Sequence, residues 1–490
     1  MTGSDRARLI RPVRLDEPTH GSITTRGLLG LTGVASQGLL RFVTNALVGR
    51  LAGTVALGIV QSAISLGTLL ALMWPTSTGS AASKYLALAR GAGDQEQVRA
   101  VAGHLSRRTV QAAVVLALSA VPLWMALHGA DLVGGLLLAV WVAGFSVYSY
   151  TRGVLFGVGQ VHRATLWDVA STVTGLAALV VVLATGARGL WLLLPMALSY
   201  AAYAAGGWPH GARGGLDRRL RSEIDRFVTV GTMGTLASSG FVQLSVVAAT
   251  RVASREDTGY YAAALTLATP SSLIAAALSL VLFPTMAEAW GRGDEAAFRR
   301  QTDLATRSLV VAMVGVLGVL ALLSRLVVQL VWPPDFAPAA DLLAVLLAAV
   351  LMTTVGVGAV NALNTSTPRG IYVSSGASLL GMLVGVAAWF VLPARLGIMG
   401  VAVGYLLGTT LVGGVPLVVV WVTRRHRWTM LAVRFVGAAA LVAWAVWWSR
   451  SQPAATQLLV TVAFALGWAA LSWKDIRTAL EVLGLRARRP

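Results

Sequence analysis

Three side chains spaced four apart, Gln37, Arg41 and Asn45, fall on one face of any helix that carries them. They sit in an apolar run, with Ser36 and Thr44 flanking the stripe. A charge at membrane depth is costly and usually faces a cavity. A guanidinium keeps its proton and forks onto two oxygens at once, which suits a diphosphate. The plainer alternative is that Arg41 binds helix carbonyls or nearby amides and only holds helices together. Other polar stripes recur at helical spacing: Gln61, Ser65 and Thr68; Thr232, Ser239, Gln243 and Thr250; Thr354, Asn361 and Asn364. Singly, such stripes more often glue helices than bind a ligand. Together they favour a shared wet cleft, in which Gln37, Arg41, Asn45, Gln61, Gln243, Asn361 and Asn364 would meet substrate. Arg50 and Arg251 are candidates for its outer mouth. Asp168, a carboxylate inside an apolar span, either pairs with Arg163 or binds a coupling proton or cation, and pairing is the preferred reading.

Other chemistries find little support. The chain has no cysteine, hence no thiol nucleophile or thiolate metal site, and its six histidines form no metal-spaced pair. No metal or cofactor is expected. The acids assigned outside the membrane, Asp131, Glu256, Asp257, Asp335 and Asp341, are scattered, so an enzyme such as a glycan polymerase is disfavoured.

The elements that must position these residues are membrane helices. Of 490 residues, 56% are hydrophobic and 12% charged, about half the charged fraction of a soluble protein. Apolar runs of roughly 20 residues, enough to span hydrocarbon, recur throughout. The spans are 27–49, 56–82, 109–128, 132–157, 164–186, 189–206, 227–250, 258–287, 308–332, 338–364, 370–393, 397–423, 431–449 and 454–473. From a cytoplasmic N-terminus, 31 of the 39 Lys and Arg fall on one side. That asymmetry orients helices during insertion, so the net charge of +19 reads as topogenic. Nucleic acid is not an expected partner, and attraction to anionic lipid is secondary.

The chain also repeats itself. Gly91-Ala92-Gly93-Asp94-Gln95, with Arg99 and Arg107, returns as Gly291-Arg292-Gly293-Asp294-Glu295, with Arg299 and Arg307. Arg50 and Gly58 are matched by Arg251 and Gly259, and Pro75-Thr76 by Pro284-Thr285. The Gly-x-Gly-Asp segments read as helix ends and caps, since no strand precedes them as a phosphate loop requires. The prolines, with Pro270, should kink the second and eighth spans. The repeat groups the chain into a basic tail (1–26), a lobe of six helices (27–206), a linker (207–226), a second lobe (227–423), an extra helix pair (424–473) and a basic tail (474–490). Six spans per lobe make this a parallel repeat, with both lobes entering from one face. Arg41 is matched by Val242, so the two lobes differ at that site.

The chain resembles the multidrug/oligosaccharidyl-lipid/polysaccharide (MOP) exporter superfamily, and within it the polysaccharide-biosynthesis (Wzx-like) flippases. The resemblance covers about 27–423. It rests on Asn45-Ala46-Leu47-Val48-Gly49-Arg50-Leu51 with Gly58, the two Gly-x-Gly-Asp turns, Trp332-Pro333-Pro334-Asp335-Phe336-Ala337-Pro338-Ala339 and Leu396-Gly397-Ile398-Met399-Gly400-Val401-Ala402. It implies an all-α MATE-like fold of about 14 transmembrane helices in two six-helix lobes, plus a helix pair that grooves an isoprenoid tail. The implied activity is flipping a polyprenyl-diphosphate-linked oligosaccharide from inner to outer leaflet by alternating access. The implied setting is a bacterial inner membrane, with both termini cytoplasmic. Expected partners are the lipid-linked sugar, membrane lipid and other glycan-assembly membrane proteins, for a chain acting as a monomer. A cation-coupled multidrug or metabolite antiporter is the alternative; a lipid II flippase fits less well, because such chains usually carry several cavity arginines.

Overall fold

The computed structural model describes residues 15, 23–212, 214–271, 286, 288–366 and 368–482. The tail cations Arg6 to Arg14, Arg213, the Pro284-Thr285 pair and the C-terminal arginines from Arg486 lie outside the described residues.

Among the described residues every long element is a helix, and twelve helical stretches are long and apolar enough to cross a membrane. The first, Leu29–Leu72, has 44 residues, about 66 Å of helix and hence two crossings. It bends at Gly53, whose φ of 88° is open to glycine at little cost. The expected loop between the first two spans is therefore a kink in one helix. The eighth span is described only as far as Ser271. The protein is an all-α, multi-pass membrane protein, and its helix number agrees with about 14.

Contacts divide the chain into two compact units, Met1–Gly259 and Tyr260–Pro490. The first holds α1 (Ile23–Leu72), α2 (Pro75–Gly91), α3 (Gln95–His128), α4 (Leu132–Gly157), α5 (Val161–Ala184), α6 (Leu194–Gly207), α7 (Arg218–Thr235) and α8 (Phe241–Val252). From Arg255, α9 (Arg255–Ala268) leads onward. The second holds α10 (Glu295–Leu322), α11 (Ser324–Val331), α12 (Ala339–Ser366), α13 (Pro368–Val391), α14 (Pro393–Leu396), α15 (Ile398–Thr423), α16 (Thr429–Trp448), α17 (Ala454–Leu471) and α18 (Trp473–Val482).

Pro75 does more than kink its span. The helix stops at Leu72 and restarts with Pro75 in its first turn, where the missing N–H is not needed. Pro270 lies in a tight turn at the end of α9. Small residues set the helix spacing, as expected where apolar burial cannot drive association between helices in lipid. A Cβ on Gly153 would collide with the carbonyl of Gly79, and one on Gly157 would lie 2.5 Å from the Ala82 carbonyl; α2 and α4 therefore touch backbone to backbone. In the second unit Gly356 and Gly413 hold α12 against α15 in the same way. There the extra helix pair is anchored on α10. Trp468 Nε1 donates to the Val311 carbonyl at 2.9 Å, and Phe464 fills the space over Gly318.

Candidate functional site

The α4–α5 hairpin turns near Gln160, and Arg152 and Asp168 each lie eight residues from it. Equal arms of a hairpin bring them to one depth, about 12 Å from the turn. Arg152 Nε donates to Asp168 Oδ2 at 3.0 Å, with the Asp168 side chain fully buried and that of Arg152 23% exposed. Tyr148 Oη donates to Asp168 Oδ1 at 3.1 Å, so both carboxylate oxygens are engaged. Asp168 thus pairs with Arg152 and not with Arg163. Five residues separate Arg163 from Asp168, about 140° around a helix, so they face apart. Arg163 instead donates to the Gly206 carbonyl at 3.0 Å.

Helix α1 closes over this pair. Gln37 Nε2 donates to the Asp168 carbonyl at 3.2 Å and to Ser171 Oγ at 3.0 Å. Thr172 Oγ1 donates to the Ser36 carbonyl at 3.1 Å, and Thr165 Oγ1 to that of Leu29 at 2.8 Å. The close approach depends on Gly33, where a Cβ would collide with Asp168 Oδ2 and lie 3.4 Å from Arg152 Nη2. On its outer side the Arg152 guanidinium stacks over Phe156 at 4.8 Å. It borders a cavity of about 290 Å³ with Thr76, Ser80 and Ser83.

One turn along α1, the Arg41 guanidinium lies over the ring of Phe145, 5.1 Å from its centroid. A partly desolvated contact of this kind is worth on the order of 1–2 kcal/mol. Phe145 stacks on Trp141 at 4.9 Å and approaches Tyr200 at 5.2 Å, and Tyr200 lies 4.8 Å from Tyr148. A continuous aromatic wall therefore joins Arg41 to the tyrosine that holds Asp168. Arg41 is half-buried, and among the described residues no carboxylate pairs with it. Arg152 is neutralised and Arg41 is not. Of these two cations, only Arg152 has a carboxylate partner among the described residues.

The other expected site residues divide into two sets. Asn45 Nδ2 donates to Gln61 Oε1 at 2.8 Å, and Gln61 Nε2 to Ser65 Oγ at 3.2 Å. Both amides are buried, joining the two arms of α1 as glue. Gln243 is half-buried on α8, whose Thr250 donates to Ser62 Oγ at 3.1 Å. Asn361 and Asn364 belong to the second unit, where Asn364 Oδ1 accepts from Ser374 Oγ at 2.9 Å. Arg50 and Arg251 are exposed. Their matched glycines meet within the first unit, since a Cβ on Gly58 would lie 2.6 Å from the Arg255 carbonyl and 2.9 Å from Gly259 N. Arg152 and Tyr148 were absent from the sequence-derived site. The signal that could have found Arg152 is the hairpin symmetry about Gln160, which went unread.

The sequence matches no protein-family model and no curated protein. Solved structures do resemble it. One is a multidrug-resistance MATE-family transporter of the MOP superfamily in an inward-facing conformation. Its identity is 14%, with 86% of this chain and all of that one covered, at a TM-score of 0.65. Another is the lipid II flippase MurJ in an inward closed conformation, at 11% identity, 92% and 99% coverage and a TM-score of 0.71. A third is a MOP-superfamily transporter from Pyrococcus furiosus, at 16% identity, 84% and 98% coverage and a TM-score of 0.60. At such identities the likeness is one of fold, and the fold is MATE-like.

Proposed function

We propose that this chain is a flippase of the Wzx-like kind, which turns a polyprenyl-diphosphate-linked oligosaccharide from the inner to the outer leaflet by alternating access. The observation that carries the reading is Arg41: a cation on a membrane-spanning helix, held by an aromatic face and without a carboxylate partner among the described residues. Such a group gains most from an anionic head group, and its forked donors match two phosphate oxygens.

A second feature supports a long-tailed substrate. The face of α16 and α17 toward α10 forms a groove of about 430 Å³, lined by Leu441, Trp444, Phe464, Trp468 and Leu471, with Arg434 beside it. Arg434 is held by Asp475 at 3.0 Å, so what the groove offers is its apolar lining, which suits an isoprenoid chain. Solved transporters and a flippase share the fold, which agrees with transport over catalysis. A cation-coupled antiporter would draw on Asp168, but both oxygens of that group are already bound.

On this reading the chain works in a bacterial inner membrane, as a monomer beside other glycan-assembly proteins. Arg41→Ala should abolish surface-glycan export at near-normal protein level, and Arg41→Lys should restore part of it. Unchanged export in Arg41→Ala sinks the assignment.

A further inference from the structure

The second unit carries a separate, strongly basic cavity. It lies where α10 and α13 begin and α12 and α15 end, and encloses about 1140 Å³. Six arginines line it, Arg299, Arg300, Arg307, Arg424, Arg425 and Arg427, against two carboxylates, Glu295 and Asp303, an excess of four positive charges. The carboxylates are already taken. Arg424 reaches Glu295 at 3.1 Å, Arg307 reaches Asp303 at 2.8 Å, and Trp428 Nε1 donates to Asp303 at 2.6 Å. Among the described residues no carboxylate pairs with Arg299, Arg300, Arg425 or Arg427. Arg299 donates to the Arg425 carbonyl, but the four charges that line this one cavity have no carboxylate to offset them, and a multivalent anion would do so.

Two further observations point to a ligand. His426 lines the cavity with a side chain only 3% exposed. It stacks flat on Trp428, with ring centroids 4.4 Å apart, and its Nε2 is buried with no hydrogen-bond partner among the described residues. Arg425, meanwhile, is the one non-glycine residue with a positive φ among the described residues, at 50°. It closes α15, with the His426 N–H donating to the Trp421 carbonyl at 3.1 Å, a turn that ordinarily takes glycine. Glycine would adopt it without strain; arginine puts a guanidinium at the rim instead. The rest of the lining includes the apolar side chains of Leu363, Val373, Val419 and Val420.

We propose that this cavity binds a phosphoryl anion, gripped by Arg299, Arg300, Arg425 and Arg427, and that the apolar lining admits the same group carried on a lipid. The proposal goes beyond the flippase reading and stands without it.

The test uses purified full-length protein at low salt, where such contacts are least screened. In neutral detergent, inorganic pyrophosphate is titrated against the unfolding midpoint. In nanodiscs of phosphatidylcholine with or without phosphatidylglycerol, co-retained lipid is read by native mass spectrometry. Wild type should be stabilised saturably by pyrophosphate, retain phosphatidylglycerol, or do both. The exposed pair Arg300→Gln with Arg427→Gln should weaken that binding about tenfold or more, since each charged hydrogen bond is worth roughly a factor of ten. Arg425→Gly should weaken it too, while the ligand-free midpoint holds or rises as the turn relaxes. A pyrophosphate response marks a soluble phosphoryl ligand; retention of phosphatidylglycerol alone marks a lipid head group. Binding of neither, or equal binding by wild type and both variants, overturns the proposal. Arg41 is unchanged in all these proteins, so a failed export assay and a failed cavity are separate results.

Discussion

The two Gly-x-Gly-Asp turns have nearly the same bonds and very different surroundings. In the first, Gly93 has a φ of 74° and Asp94 Oδ1 accepts from the Gln97 N–H at 2.8 Å. In the second, Gly293 has a φ of 70° and Asp294 Oδ1 accepts from the Ala297 N–H at 2.8 Å. The closing backbone bonds agree as well, Asp94 N to the Ala89 carbonyl and Asp294 N to that of Ala289, both at 3.1 Å. Between three and four turns of helix further on, the copies part. Arg107 Nε donates to the Gly103 carbonyl of its own helix at 3.2 Å. Its counterpart Arg307 finds the Asp303 carboxylate at 2.8 Å and borders the basic cavity. A repeated motif carries its backbone chemistry with it; what that backbone faces comes from other segments.

The units also treat arginine–carboxylate pairs differently, and this contrast yields the largest expected effect. Arg152→Ala strands a fully buried Asp168, which should cost about 3–5 kcal/mol. Arg307→Ala should cost less, about 1–2 kcal/mol: its partner Asp303 is 34% exposed, and the more buried Asp475 keeps Arg434 at 3.0 Å. Denaturant titration in detergent compares them, and equal losses would erase the distinction. Leucine at both Arg152 and Asp168 should recover much of the first loss, because no lone charge remains.

Next in size is Gly33→Ala. The added methyl group has nowhere to go beside Asp168 and should cost roughly 1–3 kcal/mol. The helix-to-helix bonds of Gln37 should loosen with it, read as faster amide exchange in α5. A harmless Gly33→Ala would mean that α1 does not clamp the pair. The caps come third. Asp94→Ala and Asp294→Ala should each lose about 1 kcal/mol, and clearly unequal losses would break the equivalence of the two turns.

The smallest effect concerns pH. Burial, followed by the nearby Arg299, Arg307 and Arg424, pushes the His426 imidazole below its usual value, against the opposing pull of Asp303. The folded state therefore resists the proton that the unfolded chain accepts near pH 6.5. Stability should fall as pH drops through that value and level off once His426 protonates in the fold. His426→Gln should flatten the acid limb of a midpoint-against-pH curve, and an unaltered limb would remove His426 as its source.

Much of the fold was legible because its signals are local. Long apolar runs marked the spans, and Asp94 and Asp294 announced caps by standing just before helices. Pro75 announced a kink, and the helix in fact breaks and restarts there. The bend at Gly53 was less legible, since a kinked helix and a short loop share the same glycine. At the site, Arg41 and Gln37 were visible from their spacing, whereas Arg152 passed as an orienting cation near the end of its span. The arginines of the second unit passed likewise, as charges that orient helices. Arg299 and Arg300 are distant in sequence from Arg425 and Arg427, and nothing in either stretch reveals that they line one cavity.

Hydropathy, capping residues and charge asymmetry alone determined that this chain crosses a membrane many times and where helices such as those after Asp94 and Asp294 begin. Those properties depend on a residue and its neighbours within a few turns. Which cations are neutralised and which stay open to an anion was decided only by the tertiary structure. Pairing at membrane depth depends on which helices lie side by side, and on small contacts such as Gly33 against Asp168 that allow them to close. Arg152 and Arg41 occupy membrane-spanning helices of the same unit; only the packing gives one a carboxylate and the other an aromatic face.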